Sequence, residues 1–182
     1  MLENILATFT PALLDLFVTS LWETLVMVGI SGAVGAALGI PLGVFLYLSD
    51  AGGVLESRVS NRIVSVLVNA VRSTPFIILL VAIIPFTRLI TGTSIGTLAA
   101  VVPLTIAAAP FVARLVETSL REVDRGLIEA AQAMGASTGQ IIFKVLLPEA
   151  LPGIVAALTI TLVSLTGYSA MAGAIGGGGL GD

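Results

Sequence analysis

Residues 24–49 read TLVMVGISGAVGAALGIPLGVFLYLS and contain no charged side chain. A helix needs about 20 mainly apolar residues to cross the hydrocarbon core of a bilayer, so this run is long enough. Two further uncharged runs cover 89–113 and 150–181. The apolar residues are continuous and do not alternate with polar ones, which favours membrane helices over the strands of a barrel. The sequence therefore predicts an all-α integral membrane protein.

The composition supports this class and excludes several kinds of chemistry. Of the 182 residues, 57% are apolar and only 10% are charged, against about 25% charged residues in soluble domains. The chain has no His and no Cys, which excludes Ser-His and Cys-His nucleophile pairs and metal sites built on these residues. The single lysine, Lys144, follows Phe143, so no P-loop can be written. Any ATP hydrolysis must therefore occur on another chain.

We expect four membrane spans, near 21–48, 63–86, 94–116 and 149–170. Pro75 and Pro85 lie inside the second span, where each removes a backbone donor and favours a kink. Arg72 lies in the same span and is either an anchor that snorkels to the interface or a residue of a conduction path. The stretch 2–19 is apolar at helical spacing and predicts an N-terminal interfacial helix.

The distribution of Lys and Arg predicts the orientation. These residues collect in the connections 49–62 and 117–148, which we expect to be cytoplasmic, and are absent from 1–23, which places the N-terminus outside. We expect residues 1–182 to form one transmembrane domain. Its glycine-rich end, 173–182, favours continuation into a fifth helix, so we expect a truncated sequence.

Two patterns inside the spans predict packing. Gly35, Gly39 and Gly43 form two overlapping GxxxG steps on one helix face, where small residues let helix backbones approach closely. The partner helix lies either in the same chain or in a second subunit. Arg114 and Glu117 are three residues apart and can form an ion pair on one helix face.

The segment 117–148 is charged but patterned as two short helices. Ser119 with Glu122 and Ser137 with Gln140 each fit a capping box. Apolar residues follow at helical spacing on both sides of a glycine, and they are Leu127, Ile128, Ala131, Met134, Ile141, Ile142, Val145 and Leu146. A short exposed helix with small residues and one acid suits docking into a groove of another protein. The alternative is a loop that packs on its own bundle.

The same segment resembles the EAA loop of ABC-importer permeases. Glu129-Ala130-Ala131 is followed after three residues by Gly135, and after nine more by Val145-x-Leu147-Pro148. Val145 replaces the family's Ile and is the one departure from its pattern. The resemblance implies that the loop forms a coupling helix in the cleft of a cytoplasmic ATPase. It assigns the ATPase-coupling role to Glu129, Ala130, Ala131, Gly135, Val145, Leu147 and Pro148.

Two further stretches, NAVRSTPF at 69–76 and YSAMAGAIGGGGLGD at 168–182, resemble the permeases of methionine importers. The resemblance implies a five-helix subunit of the bacterial inner membrane. It also implies a homodimer with two ATPase subunits that bind ATP and Mg, and an extracytoplasmic substrate-binding lipoprotein. This chain itself would hold no cofactor and no metal. Met171 resembles a gate residue, with a core-filling side chain as the alternative, and Tyr168 and Ser164 are candidate polar groups of the pathway.

The expected function is therefore that of a permease subunit, not an enzyme. It would form the pathway for an amino acid, methionine, by alternating access driven by the separate ATPase. The main alternative is the same machine with another amino acid or a small peptide as cargo. A passive channel would leave the patterned segment 117–148 unexplained. An intramembrane enzyme would need paired Asp residues or Ser-Lys, whereas the acids lie at the membrane edges and Lys144 lies in the cytoplasmic loop.

Overall fold

The computed structural model describes residues 10–182, and the regular structure in this part of the chain is entirely helical, which confirms the predicted all-α class. The helices are α1 Pro11–Ser49, α2 Arg58–Ser73, α3 Phe76–Ala82, α4 Ile84–Thr91, α5 Thr97–Arg121, α6 Arg125–Ala133, α7 Thr138–Ile141 and α8 Leu147–Ala172. A π-helical turn, Ile142–Leu146, joins α7 to α8, so that both belong to one long rod. Taken singly, α1, α5 and this rod are long and apolar enough to cross a membrane.

Helix α5 lies at the centre of the bundle. Its residues Leu104, Val112, Val116 and Leu120 are completely buried, because α1, α2 and α8 all pack around it. Burial of apolar surface against protein and close van der Waals packing together hold this centre. Helix α5 is therefore the element against which α1, α2 and α8 are packed.

The three glycines of α1 lie directly against α5. A Cβ atom at Gly39 would come within 2.6 Å of the carbonyl oxygen of Ala109, and one at Gly35 within 2.6 Å of the Cβ of Ala108. No side chain larger than hydrogen fits at such a distance. The GxxxG face of α1 thus forms a helix contact inside the chain.

Residues 11–19 of the predicted interfacial helix are helical and form the first turns of the continuous helix α1. Pro11 is in the first turn, where a backbone N–H has no hydrogen-bond partner within the helix, so proline is tolerated there. The Thr10 hydroxyl accepts a hydrogen bond from the Leu13 N–H at 3.4 Å and caps the helix. The proline therefore starts the helix and does not interrupt it. The rest of that prediction lies outside the described residues.

The predicted span over 63–86 is a series of separate helices. Helices α2 and α3 meet at an angle of 105°, and together they could form one bent span. Thr74 (φ −81°, ψ 127°) is extended, as expected for a residue before proline, and Pro75 (φ −56°, ψ 135°) is extended as well. The kink that Pro75 predicts is therefore a complete break.

The last two spans are longer than predicted. Helix α5 continues to Arg121, so Ser119 lies inside it and donates to the Leu115 carbonyl at 3.0 Å; the predicted capping box with Glu122 is wrong. The rod that contains α8 begins at Thr138 and includes the π turn just before Pro148. Pro148 has no N–H, so the Lys144 carbonyl cannot form the usual α-helical hydrogen bond with it. The capping box of Ser137 with Gln140 is confirmed.

Candidate coupling surface and transport pathway

Helix α6 is a short helix with firmly defined ends. The Asp124 carboxylate caps it by accepting from the Gly126 N–H at 2.7 Å. At the other end Gly135 has φ +79°, a left-handed conformation that favours glycine, and the Ala136 N–H returns to the Ala131 carbonyl at 3.0 Å. The chain thereby reverses direction within a few residues and enters α7.

The two faces of α6 have different neighbours. Ile128 and Ala131 are buried in an apolar cluster with residues of α5, α7 and α8. Leu127, Glu129 and Met134 are exposed, Met134 at 81%. The predicted apolar face of α6 is thus divided between the bundle and the solvent, and Leu127 and Met134 form an exposed apolar outer patch.

The EAA motif residues fall on both sides of this division. Glu129 and Ala130 are exposed, while Ala131 is buried. Val145 and Leu147 are half-buried against the cluster that receives Ile128. Pro148 is exposed near the start of α8. Ala131, Val145 and Leu147 therefore fix the segment to the bundle, while Glu129 and Ala130 belong to its free surface.

A network of charged groups lies beside α6. The Glu117 carboxylate, only 6% exposed, accepts from Arg114 at 2.6 Å and from Arg121 at 2.8 Å. Arg121 also donates to Asp50 at 2.6 Å, and Arg114 donates to the hydroxyl of Ser65. The predicted pair of Arg114 and Glu117 is confirmed. The network joins the end of α1, the middle of α2 and the end of α5.

A polar cavity of about 200 Å³ lies between this network and α6. Asp50 and Arg121 lie on one side, and Arg125, Glu129 and Gln132 on the other. The hydrogen bond from Arg121, together with one from the Ala51 N–H, holds the pKa of the Asp50 carboxyl below its usual value. Asp50 is therefore charged at neutral pH.

The predicted pathway residues share one face of α8. Ser164, Tyr168 and Met171 follow each other at intervals of one helical turn. The ring of Tyr168 stacks on Phe76, with centroids 4.6 Å apart, and Met171 is 46% exposed. The Ser164 hydroxyl donates within its own helix, to the Ile160 carbonyl at 2.9 Å. This face is thus mainly apolar.

A clamp that the sequence did not reveal holds the glycine-rich end. The Gly179 N–H donates to the Glu23 carboxylate at 2.7 Å, and the Leu180 N–H to the Thr24 hydroxyl at 2.9 Å. These partners are 156 residues apart, so no local pattern could pair them. Within residues 10–182, no three Asp or Glu side chains come together as a metal site.

Comparison with known proteins finds close relatives. The family described as "Binding-protein-dependent transport system inner membrane component" matches residues 39–182. A probable D-methionine transport system permease of Vibrio cholerae is 63% identical over 168 residues, or 92% of this chain and 75% of the relative. The D-methionine transport system permease of Escherichia coli K12 is 59% identical over 158 residues, or 87% and 73%.

A solved structure agrees with the sequence relatives. An inward-facing structure of the MetNI methionine ABC transporter, in its native crystal form, superposes with a TM-score of 0.94 at 57% identity. The match covers 95% of this chain and 80% of that chain. The chain spans about three quarters of the length of both sequence relatives.

Proposed function

Because this chain belongs to the family of inner-membrane components of binding-protein-dependent transport systems, we propose that it carries methionine and that α6 is where a separate ATPase drives it. The chain is a membrane-spanning permease of the ABC-importer type, it lies in the bacterial inner membrane, and it is not an enzyme. The names of its relatives, which are methionine permeases, support the choice of cargo.

The observation that carries the docking proposal is the two-sided environment of α6. One face is fixed by Ile128 and Ala131, while the other exposes Leu127, Glu129 and Met134. A helix that is rigid on one side and has an apolar outer patch with one acid fits a groove in a partner protein. Ala130 gives the partner close access, and Glu129 pairs with a basic group at the rim of the groove. This end of the bundle is then cytoplasmic.

The packing of α6 explains how a movement of the ATPase reaches the spans. ATP binding closes the ATPase dimer and shifts the docked helix. Ile128 and Ala131 pass this shift to α5 and α8, because all belong to one packed cluster. The network around Glu117 passes it to α1 and α2. The spans tilt together, the pathway opens outward, and hydrolysis resets it.

The complete transporter would contain two copies of this permease, two ATPase subunits and an extracytoplasmic substrate-binding lipoprotein. ATP and Mg would be bound by the ATPase alone. The exposed side chain of Met171 supports a gate in which two copies close the pathway together. Met is flexible and apolar, so a ring of such side chains can exclude water.

Uptake of labelled methionine tests this proposal. Cells without their own methionine importer would carry the full-length permease with its ATPase and binding protein. We expect ATP-dependent uptake, which Glu129→Ala and Gly135→Asp abolish although both variants reach the membrane. Gly139→Ala is the matched control, because Gly139 lies in the same segment and a Cβ there meets no atom within 4 Å.

The cargo and the mechanism can fail separately. If another amino acid or a small peptide competes with uptake and unlabelled methionine does not, the assignment of methionine as cargo is wrong. The assignment as an ATP-driven importer would still stand. Uptake that continues without ATP would instead indicate a passive channel. Unchanged uptake in Gly135→Asp would remove the docking role of α6.

A further inference from the structure

The glycine-rich segment, residues 173–182, lies at the end of the bundle opposite α6. The Gly96 N–H, just before α5, donates to the Gly176 carbonyl of this segment at 2.8 Å. From there α5 runs 25 residues to Arg121 beside α6, a length of about 37 Å at about 1.5 Å per residue. The hydrocarbon core of a bilayer is about 30 Å thick, so α5 is long enough to cross it. With α6 in the cytoplasm, the segment therefore lies near the outer side of the membrane.

The segment folds back on the last turn of α8. A Cβ atom at Gly177 would come within 2.6 Å of the Ala172 carbonyl oxygen. One at Gly173 would come within 2.6 Å of the Gly181 carbonyl carbon. Both neighbours are backbone atoms, which cannot turn aside as a side chain can. The segment is therefore a compact turn attached to α8, directly after Met171 and Ala172.

Two hydrogen bonds tie this turn to α1. The Gly179 N–H donates to the Glu23 carboxylate at 2.7 Å. The Leu180 N–H donates to the Thr24 hydroxyl at 2.9 Å. A bond to a carboxylate is charge-assisted and stronger than a bond between neutral groups. Glu23 has no Lys or Arg within ion-pair distance in residues 10–182, so no cation competes with the Gly179 N–H for its carboxylate.

Apolar packing joins the same helices one turn further into the bundle. Met27 of α1, Leu104 of α5, and Leu165 and Ala172 of α8 are buried in one cluster. Glu23 lies one helical turn before Met27 on α1, on the side of the glycine-rich turn. The outer parts of α1, α5 and α8 thus form one packed unit, which Glu23 closes at its outer end.

We propose that Glu23 is a positioning residue of the transport cycle. Its carboxylate holds the turn of residues 173–182 to α1, so that the gate-bearing end of α8 moves together with α1. A shift that enters α8 from α6 then reaches Met171 at the other end of the same helix. Without the Glu23 bond, the end of α8 would lag behind, and ATP hydrolysis would continue without fully opening the gate. The proposal rests on the proposed function and adds to it a residue outside the coupling motif.

Import per ATP hydrolysed tests the role of Glu23. The full-length permease is reconstituted in lipid vesicles with its ATPase and binding protein, and methionine import and ATP hydrolysis are measured together. Glu23→Ala removes the hydrogen-bond acceptor. We expect the ratio of import to hydrolysis to fall about tenfold or more, because a hydrogen bond to a charged group is typically worth such a factor in an equilibrium. Hydrolysis itself should not fall, and Glu23→Gln, which keeps an acceptor oxygen, should retain part of the ratio.

Asp15→Ala is the matched control, because Asp15 is an exposed acid about two turns earlier on the same helix. A Glu23→Ala transporter with the ratio of this control would overturn the proposal. So would an equal fall of import and hydrolysis, which is expected if Glu23 only stabilises the fold. If the unsubstituted transporter hydrolyses ATP but imports no methionine, the proposed cargo is wrong, and hydrogen exchange then decides the role of Glu23.

Hydrogen exchange detects a loosened end of α8 and needs no cargo. It is followed by mass spectrometry in the assembled transporter with ATP present. In Glu23→Ala, peptides that cover 173–182 and the last turn of α8 around Met171 should exchange about tenfold faster than in the unsubstituted protein, while α6 should be unchanged. Glu23→Gln also lacks the charge but should exchange more slowly than Glu23→Ala, which separates the lost bond from an electrostatic effect on exchange. Equal exchange around Met171 in Glu23→Ala and in the unsubstituted protein would contradict the proposal.

Discussion

The guanidinium of Arg121 donates to the carboxylate of Asp50 over 2.6 Å, although 71 residues separate them. Arg121 ends α5, and Asp50 directly follows α1, so the bond ties two spans together beside α6. Arg121 also binds Glu117, which in turn binds Arg114. A displacement that reaches α5 through the apolar packing of α6 therefore acts on α1 and α2 through charged groups as well.

The members of this network should differ in their effect on stability. Glu117→Gln removes a buried charge and leaves Arg114 buried without its partner, which should destabilise the fold by about 3–5 kcal/mol. Asp50→Asn removes a partly exposed pair, for which about 0–1 kcal/mol is expected. Thermal unfolding of the purified permease in detergent measures both. Equal unfolding temperatures in the two variants would show that Glu117 is not an essential part of the network.

Stability should also depend on Asp50 in acid. Its folded-state pKa is lowered by the Arg121 hydrogen bond, so the unfolded chain binds protons more readily. The stabilisation from this bond is present above about pH 4, the usual range of an Asp carboxyl, and is lost as the pH falls through the lowered pKa. Unfolding temperatures measured down to about pH 3 should therefore fall less steeply in Asp50→Asn. Identical slopes would contradict this contribution.

The contact of α1 with α5 should not tolerate one added methyl group. In Gly39→Ala the new Cβ would meet the Ala109 carbonyl at 2.6 Å, which forces the helices apart and should cost about 1–3 kcal/mol. Gly29→Ala is the control, since a Cβ at that position of α1 has no atom within 4 Å. It should be neutral or slightly stabilising, because Ala favours the helix. Comparable unfolding temperatures for both variants would argue against this packing.

Substitutions at two neighbouring alanines of α6 should distinguish an effect on stability from an effect on ATPase docking. Ala131→Leu overfills the buried face and should destabilise the permease by about 1–3 kcal/mol. Ala130→Leu lies on the exposed face and should leave the unfolding temperature unchanged while it blocks close approach of the ATPase. Co-purification of the ATPase with each variant reads out the docking. Full recovery of the ATPase with Ala130→Leu would contradict the assignment of that face.

The sequence predicted the features that depend on local pattern. Uncharged runs indicated the helical membrane class, the spacing of Ser137 and Gln140 indicated a cap, and Arg114 and Glu117 were paired from their position on one helix. Helix ends were less predictable. Pro11 begins a helix and Pro75 breaks one. A proline lacks the N–H that would bond the carbonyl four residues earlier, and this bond is required inside a helix but not in its first turn.

Long-range contacts were beyond sequence patterns. Asp50 and Arg121, or Glu23 and Gly179, meet only after the bundle is packed. For the same reason the apolar periodicity could not show that Leu127 and Met134 are exposed while Ile128 and Ala131 are buried.

Site-directed labelling of α6 tests the central claim, that this helix docks on the ATPase. The chain has no cysteine, so single substitutions give a signal without background. Ala130→Cys and Met134→Cys lie on the exposed face of α6, and Leu180→Cys lies at the far end of the sequence as a control. Maleimide labelling is compared in the permease alone and with its ATPase bound. Docking predicts that the ATPase protects both positions of α6 and leaves Leu180→Cys accessible, whereas equal labelling of the α6 positions with and without ATPase would contradict it.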